Sequence, residues 1–159
     1  MRKSRLAGVL AATACAVLVV GVSVAQAGDD TSQHHGRTAA FTVLEHADTD
    51  TVVDLGPHGD SIGDTLAFAN PVYDTHGAQV GSDQGSCVRT EVGRSWECSW
   101  TTTLKGGSLV VQGPFHDTAD STLAITGGTG KWRGARGQMH LHARDAKGSA
   151  FDFAFLVTY

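Results

Sequence analysis

Beyond residue 27 the chain lacks three things: the 3.6-residue apolar repeat of a helix, a basic run of five or more, and a C-x-x-C pair. The first absence argues against a helical fold and leaves strands. The second makes nucleic acid and anionic membrane surfaces poor partners. The third removes dithiol redox chemistry of the thioredoxin kind.

What precedes residue 28 differs from the rest. Arg2, Lys3 and Arg5 form a positive start, Leu6 to Val24 is an uncharged apolar run, and Ala25-Gln26-Ala27 is a small-x-small site. This is the pattern of a secretory signal peptide, expected over residues 1–27 and cut before Gly28. The run is near spanning length, so an uncleaved anchor is the rival. The small-x-small site and the polar DDTSQHHG that follows favour cleavage and a secreted, extracellular chain. Cleavage removes three basic residues and none of the 16 acidic ones, so the net charge moves from −4 to −7. The remaining length suits one domain with a single core. After cleavage no membrane association is expected, and residues 28–38 read as a loose polar arm.

Two cysteines remain, Cys87 and Cys98. CVRTEVGRSWEC reads as a hairpin turning at Val92-Gly93, with Glu91 opposite Arg94, Arg89 opposite Trp96, and Cys87 opposite Cys98. Opposed antiparallel residues lie about 4.5–5.5 Å apart at Cα, within disulfide range. In an oxidising compartment the two should bridge.

The rest alternates with period two. Strands are expected at 40–46, 61–70, 84–91, 95–104, 108–115, 121–126, 135–144 and 150–158. Trp96, Cys98, Trp100 and Thr102 share one face of the fourth, and Phe151, Phe153, Phe155 and Val157 share one face of the last. Eight short strands separated by Gly, Asp and Asn turns predict an all-β fold. A closed eight-stranded antiparallel barrel, over 39–159, is preferred because closure removes sheet edges.

The most unusual stretch is LAITGGTGKWRGARGQ, residues 123–138. Its glycines do not form a nucleotide loop, since a strand pattern follows them where a phosphate site needs a helix start. They read as turn and crossing glycines. No nucleotide or other cofactor is called for.

This stretch, together with SIGDTLAFANPVY, GSCV and SLVVQGPF, resembles the allene oxide cyclases and, more loosely, the dirigent proteins, over about residues 41–159. The resemblance implies an eight-stranded barrel, usually a homotrimer, with an apolar cavity along its axis. Allene oxide cyclases close a ring in that cavity, and dirigent proteins steer radical coupling and related cyclisations. It places the cavity glutamate on Glu45 and cavity-lining positions on Leu66, Phe68 and Asn70. It also places a cavity cysteine on Cys87. The partner asparagine falls on Ala47, a cavity phenylalanine falls on Thr102, and the proline of the water site has no clear counterpart in 48–60.

By alternation Glu45 shares a face with Phe41 and Val43. A carboxyl among apolar groups has a raised pKa and serves as acid, base or dipole; the bland alternative is a strand-end glutamate in solvent. Asp64, after a glycine, reads as a turn or rim residue. Trp100 and Thr102 lie on the face of Cys98, and with Phe115 they complete the expected lining of a ligand site around Glu45, Leu66, Phe68 and Asn70. His140 and His142 form an H-x-H pair six residues after Gly134, as in the first cupin motif. The glutamate and second histidine block that motif needs are missing, so the pair reads as solvent- or interface-facing and no metal is assigned. Nucleophilic catalysis gets no support, because no serine is expected in a G-x-S-x-G elbow.

Two functions remain: an isomerase that closes a ring in a small apolar substrate, Glu45 polarising it, or a non-catalytic guide or carrier of such a molecule. A buried Glu45 beside Phe68 and Asn70 supports the first, and a solvent-facing one the second.

Overall fold

Where apolar and polar residues alternate, the chain forms strands with the apolar set inside. The computed structural model describes residues 36–159; the expected signal segment and residues 28–35 of the expected arm lie outside them. Nine strands form: β1 (Thr38–His46), β2 (Thr51–Val53), β3 (Thr65–Tyr73), β4 (Gln79–Glu91), β5 (Ser95–Leu104), β6 (Gly107–His116), β7 (Ser121–Gly128), β8 (Arg136–Ala143) and β9 (Ala150–Thr158). Each pairs antiparallel with the next from β2 to β9, β9 pairs with β1, and β1 closes on β3. The result is a closed eight-stranded antiparallel barrel. The short β2 lies beside the start of β3, whose end is taken by β1.

Several boundaries differ from the sequence reading. The arm ends sooner than residue 38, because Arg37 exchanges backbone hydrogen bonds with Tyr159 and Thr38 opens β1. Residues 61–64 form a turn, not the start of a strand. Asp64 ties it by accepting from the Leu55 and Ser61 backbone N–H groups, both at 2.8 Å. β3 instead runs on through Pro71. The Ala69 N–H faces away from β4 toward Thr49 Oγ1, so residue 71 by alternation aims the same way, into the gap between β1 and β2. A residue without an N–H is tolerated there. β4 starts five residues early because Gln79 to Asp83 is polar and glycine-containing and hid its alternation.

The β4–β5 hairpin sets Cys87 opposite Cys98 and Arg89 opposite Trp96, as expected. A bulge after Arg89 then puts Glu91 opposite Ser95 rather than Arg94. Cys87 and Cys98 are joined as a disulfide, Cα atoms 4.0 Å apart. Opening it is expected to cost roughly 2–3 kcal/mol, since the closed loop is short; denaturant unfolding with and without reductant measures this, and an unchanged midpoint would contradict it.

The glycine stretch closes one end of the barrel. A Cβ on Gly130, at φ +57°, would collide with the Gly106 carbonyl, and one on Gly107 with the Thr129 carbonyl. Two turns therefore cross at backbone contact, which only glycine permits. The crossing carries Trp132 on a 3₁₀ turn against Phe41 and Tyr159, with ring centroids 5.5 and 4.7 Å apart. These rings cap that end. Inside, Gly85 faces Trp100 across the ladder, and a Cβ there would strike the Trp100 Cβ. The missing side chain makes room for the indole.

Candidate functional site: a carboxyl pair below the barrel mouth

At the uncapped end the loops 117–120 and 144–149 border a mouth of about 760 Å³. Its apolar floor is Phe115, Leu141 and Phe151, which with Asp50 also line a smaller inner cavity of about 30 Å³. Leu66, Phe68, Trp100, Phe153, the disulfide and Glu45 complete the inner wall. A space of about 30 Å³ admits no more than a few waters, so any larger molecule would have to sit mainly in the mouth.

Glu45 is placed by β1, where alternation sends it inward after Phe41 and Val43, and by register with Phe151 of β9 and Val72 of β3. Only 5% of it is exposed. Asn70, inward from β3, donates from Nδ2 to Glu45 Oε1 and to Asp50 Oδ1, both at 2.8 Å. Its Oδ1 accepts from the Thr49 backbone N–H at 2.9 Å and from Thr49 Oγ1 at 3.0 Å. The amide is thus fully engaged, and it fixes the loop after β1 against the barrel.

Behind Glu45 lies Asp83, paired with Asn70 on one side and Thr102 on the other. It is 1% exposed, and among the described residues neither carboxyl oxygen has a partner of ordinary hydrogen-bond geometry. The group facing it is the Glu45 carboxyl. Two carboxyls can bond only if one keeps its proton. Burial pushes both upward. For Glu45 the Asn70 bond opposes that rise and the Asp50 carboxylate adds to it. For Asp83 burial is followed by the Glu45 charge, and the Asn70 backbone N–H offsets only part. The pair retains a proton at neutral pH, because like charges this close and this dry cannot both ionise.

The expected ligand-site residues divide. Glu45, Leu66, Phe68, Trp100 and Phe115 come together on the cavity wall. Asn70 and Thr102 do not line it: Asn70 holds Glu45 from behind, and Thr102 lies beside Asp83, wholly buried, its hydroxyl without a partner among the described residues. Cys87 is on the wall, as a disulfide. His140 and His142 are on the exposed outer face, His140 bonded to Thr122 and Gln138, and His142 Nδ1 to Asp120 at 2.7 Å. Among the described residues no group of three or more His, Cys, Asp or Glu could hold a metal. The letters Gly59-Asp60-Ser61-Ile62-Gly63 spell G-x-S-x-G, yet Ser61 Oγ donates to the Leu55 carbonyl and a strand follows, so this is a turn and not a nucleophile elbow.

Asp83, Asp50 and the rim were missed from the sequence. Asp83 was findable: it is four residues before Cys87 on the same face of β4. On the rim, Arg89 forms an ion pair with Asp60 at 2.7 Å, donates from Nη1 to Asp117 at 2.8 Å and lies 3.9 Å over the Trp96 ring. At 8% side-chain exposure it ties the 54–64 loop to the mouth loop at Asp117.

A family model described as dirigent-like protein matches residues 21–157. The chain belongs to the dirigent-like family. Among solved structures, a pyocyanin demethylase is 27% identical with a TM-score of 0.65, the alignment covering 74% of this chain and 99% of that one. A pterocarpan synthase dirigent protein is 18% identical at TM-score 0.64, covering 77% and 85%. A Diels-Alderase from Streptomyces koyangensis is 14% identical at TM-score 0.60, covering 79% and 69%. The last two share the fold. The dirigent-like barrel is therefore present, with its carboxyl pair inside.

That pair makes stability depend on pH. A carboxyl with a raised folded pKa binds more protons folded than unfolded, so the stability this pair contributes is greatest below the ordinary carboxylate range. It declines as pH rises from there toward the raised value. The slope is at most about 1.4 kcal/mol per pH unit for each proton. Asp83→Asn is expected to flatten the decline and to be more stable than the wild type above neutrality. Urea midpoints across pH measure this; parallel curves for the two proteins would refute it.

Proposed function

We propose that this dirigent-like barrel is a small-molecule isomerase that closes a ring in a mostly apolar substrate seated in the mouth. The observation that carries the reading is Glu45, buried on the cavity wall among aromatic rings and backed by Asp83. A protonated Glu45 lends its proton to a substrate oxygen as the ring closes and recovers it afterwards, so the substrate's formula is unchanged. Asn70 fixes the carboxyl, and Phe115, Phe151 and Leu141 hold the substrate in a folded shape; such orientation supplies much of a unimolecular rate. The neighbours described as a pterocarpan synthase dirigent protein and a Diels-Alderase support a ring-forming role through their barrel alone. One observation favours a non-catalytic guide instead: the inner cavity of about 30 Å³ admits little of a ligand to Glu45. Mass spectrometry of small molecules that copurify with the protein, followed by turnover assays on them, separates the two. A bound compound that the protein leaves unchanged would sink the isomerase reading.

We place the protein outside the cytoplasm, a reading supported by the Cys87–Cys98 bridge and the N-terminal pattern. Assembly, expected as a trimer, is supported by apolar residues left outside: Val52, Val53, Leu55, Val88 and Ile62, the last 71% exposed. Light scattering at micromolar concentration should give three times the chain mass; a monomer would count against it.

A further inference from the structure

Resting on the small-molecule reading above, we infer that the site prefers planar aromatic ligands bearing a positive charge. The inner cavity is walled by Phe68, Trp100, Phe115, Phe151 and Phe153, whose rings pack on one another with centroids 5.9 Å (Phe68–Trp100), 5.5 Å (Trp100–Phe153) and 5.8 Å (Phe115–Phe151) apart. Its charged lining is Glu45 and Asp50, and among the described residues no basic side chain lines it. Aromatic faces attract cations through their quadrupoles, and a nearby carboxylate adds to that attraction in a dry site.

Behind the two lining acids stands Asp83. It is 1% exposed and unpartnered among the described residues, and it lies against Glu45 with no cation to balance it. Asp48 and Asp50 add their charge from the loop after β1. A cationic ligand at the wall would balance the negative charge that the Glu45–Asp83 pair carries once it has lost its first proton. The basic groups at the mouth are His116, His142, Arg144 and Lys147, and two of them face acids. His142 is bonded to Asp120, Arg144 leans to Asp152 at 3.8 Å, and Lys147 stands on the exposed loop. Arg89 is held by Asp60 and Asp117 on the rim.

The test is calorimetric titration of the purified protein at pH 8 with three probes of similar shape: N-methylquinolinium, neutral quinoline and anionic 1-naphthoate. The cation is expected to bind at least about tenfold tighter than quinoline, with naphthoate the weakest, and the gap should shrink as salt screens the charges. Glu45→Gln should bring the cation's affinity down toward quinoline's and leave quinoline's unchanged. Asp50→Asn, on an exposed loop, gives a second variant should the first not fold, and it should narrow the gap severalfold. Quinoline or naphthoate binding as tightly as the cation overturns the inference alone. So does a cation preference that survives both substitutions, since the charge would then lie elsewhere. Absence of binding by all three probes removes the small-molecule reading together with it.

Discussion

Glu45→Gln should lower turnover by about 10²–10⁴-fold, the usual contribution of a positioned general acid or base, while affinity for a neutral ligand stays within a few-fold. Glutamine keeps the shape of the side chain, and its carbonyl oxygen can still accept from Asn70 Nδ2, the bond that fixes Glu45 in the native barrel. What it loses is the proton. The change therefore separates proton transfer from cavity shape. A guide that acts by shape alone would tolerate it, and there Phe68→Ala should weaken binding instead, since Phe68 is on the cavity wall. Steady-state kinetics on the copurified substrate read the difference. A Glu45→Gln protein with wild-type kcat contradicts the assignment of Glu45.

Phe153→Ala should produce the largest loss of stability, roughly 3–5 kcal/mol, the range for removing a buried phenylalanine and leaving a cavity. Phe153 is 2% exposed, stands opposite Val43 and Leu141, and packs its ring 5.5 Å from Trp100. The barrel wall is closed on both sides of it, so the space cannot collapse easily. Leu156→Ala, three residues on and outward-facing, should change stability by less than about 0.5 kcal/mol. Urea unfolding of the pair checks both, and equal costs at the two positions would refute the inside–outside assignment of β9.

The barrel was legible in the sequence because its inner faces are marked by alternation. Phe151 to Val157 and Trp96 to Thr102 show it without interruption, and both strands lie within a residue of where they were expected. The Cys87–Cys98 register was legible for the same reason, since the pair sits close to its turn. Failures began where polar residues point inward. Asp83 breaks the apolar pattern of β4, so the strand was begun one residue after it, and the partner of Glu45 was lost with it. Asp64 belongs to a turn, as read, but its hydrogen bonds to Leu55 and Ser61 define that turn, and β3 was begun inside it. Asp50 and the mouth loops could not be placed, because loop closure over a barrel end is fixed by tertiary partners such as Asn70 and Arg89, which no local pattern announces. The glycine stretch was read correctly as a crossing, but its delivery of Trp132 to cap the barrel is a long-range fact.

Burial and mutual repulsion make Glu45 and Asp83 share a proton beside the cavity at neutral pH. Carbon-13 NMR of the side-chain carboxyls, titrated from acid to alkaline pH, tests it most directly. These two carboxyls are expected to titrate together, in two linked steps above the ordinary carboxylate value of about 4. Both carboxyls titrating independently at that ordinary value would contradict it.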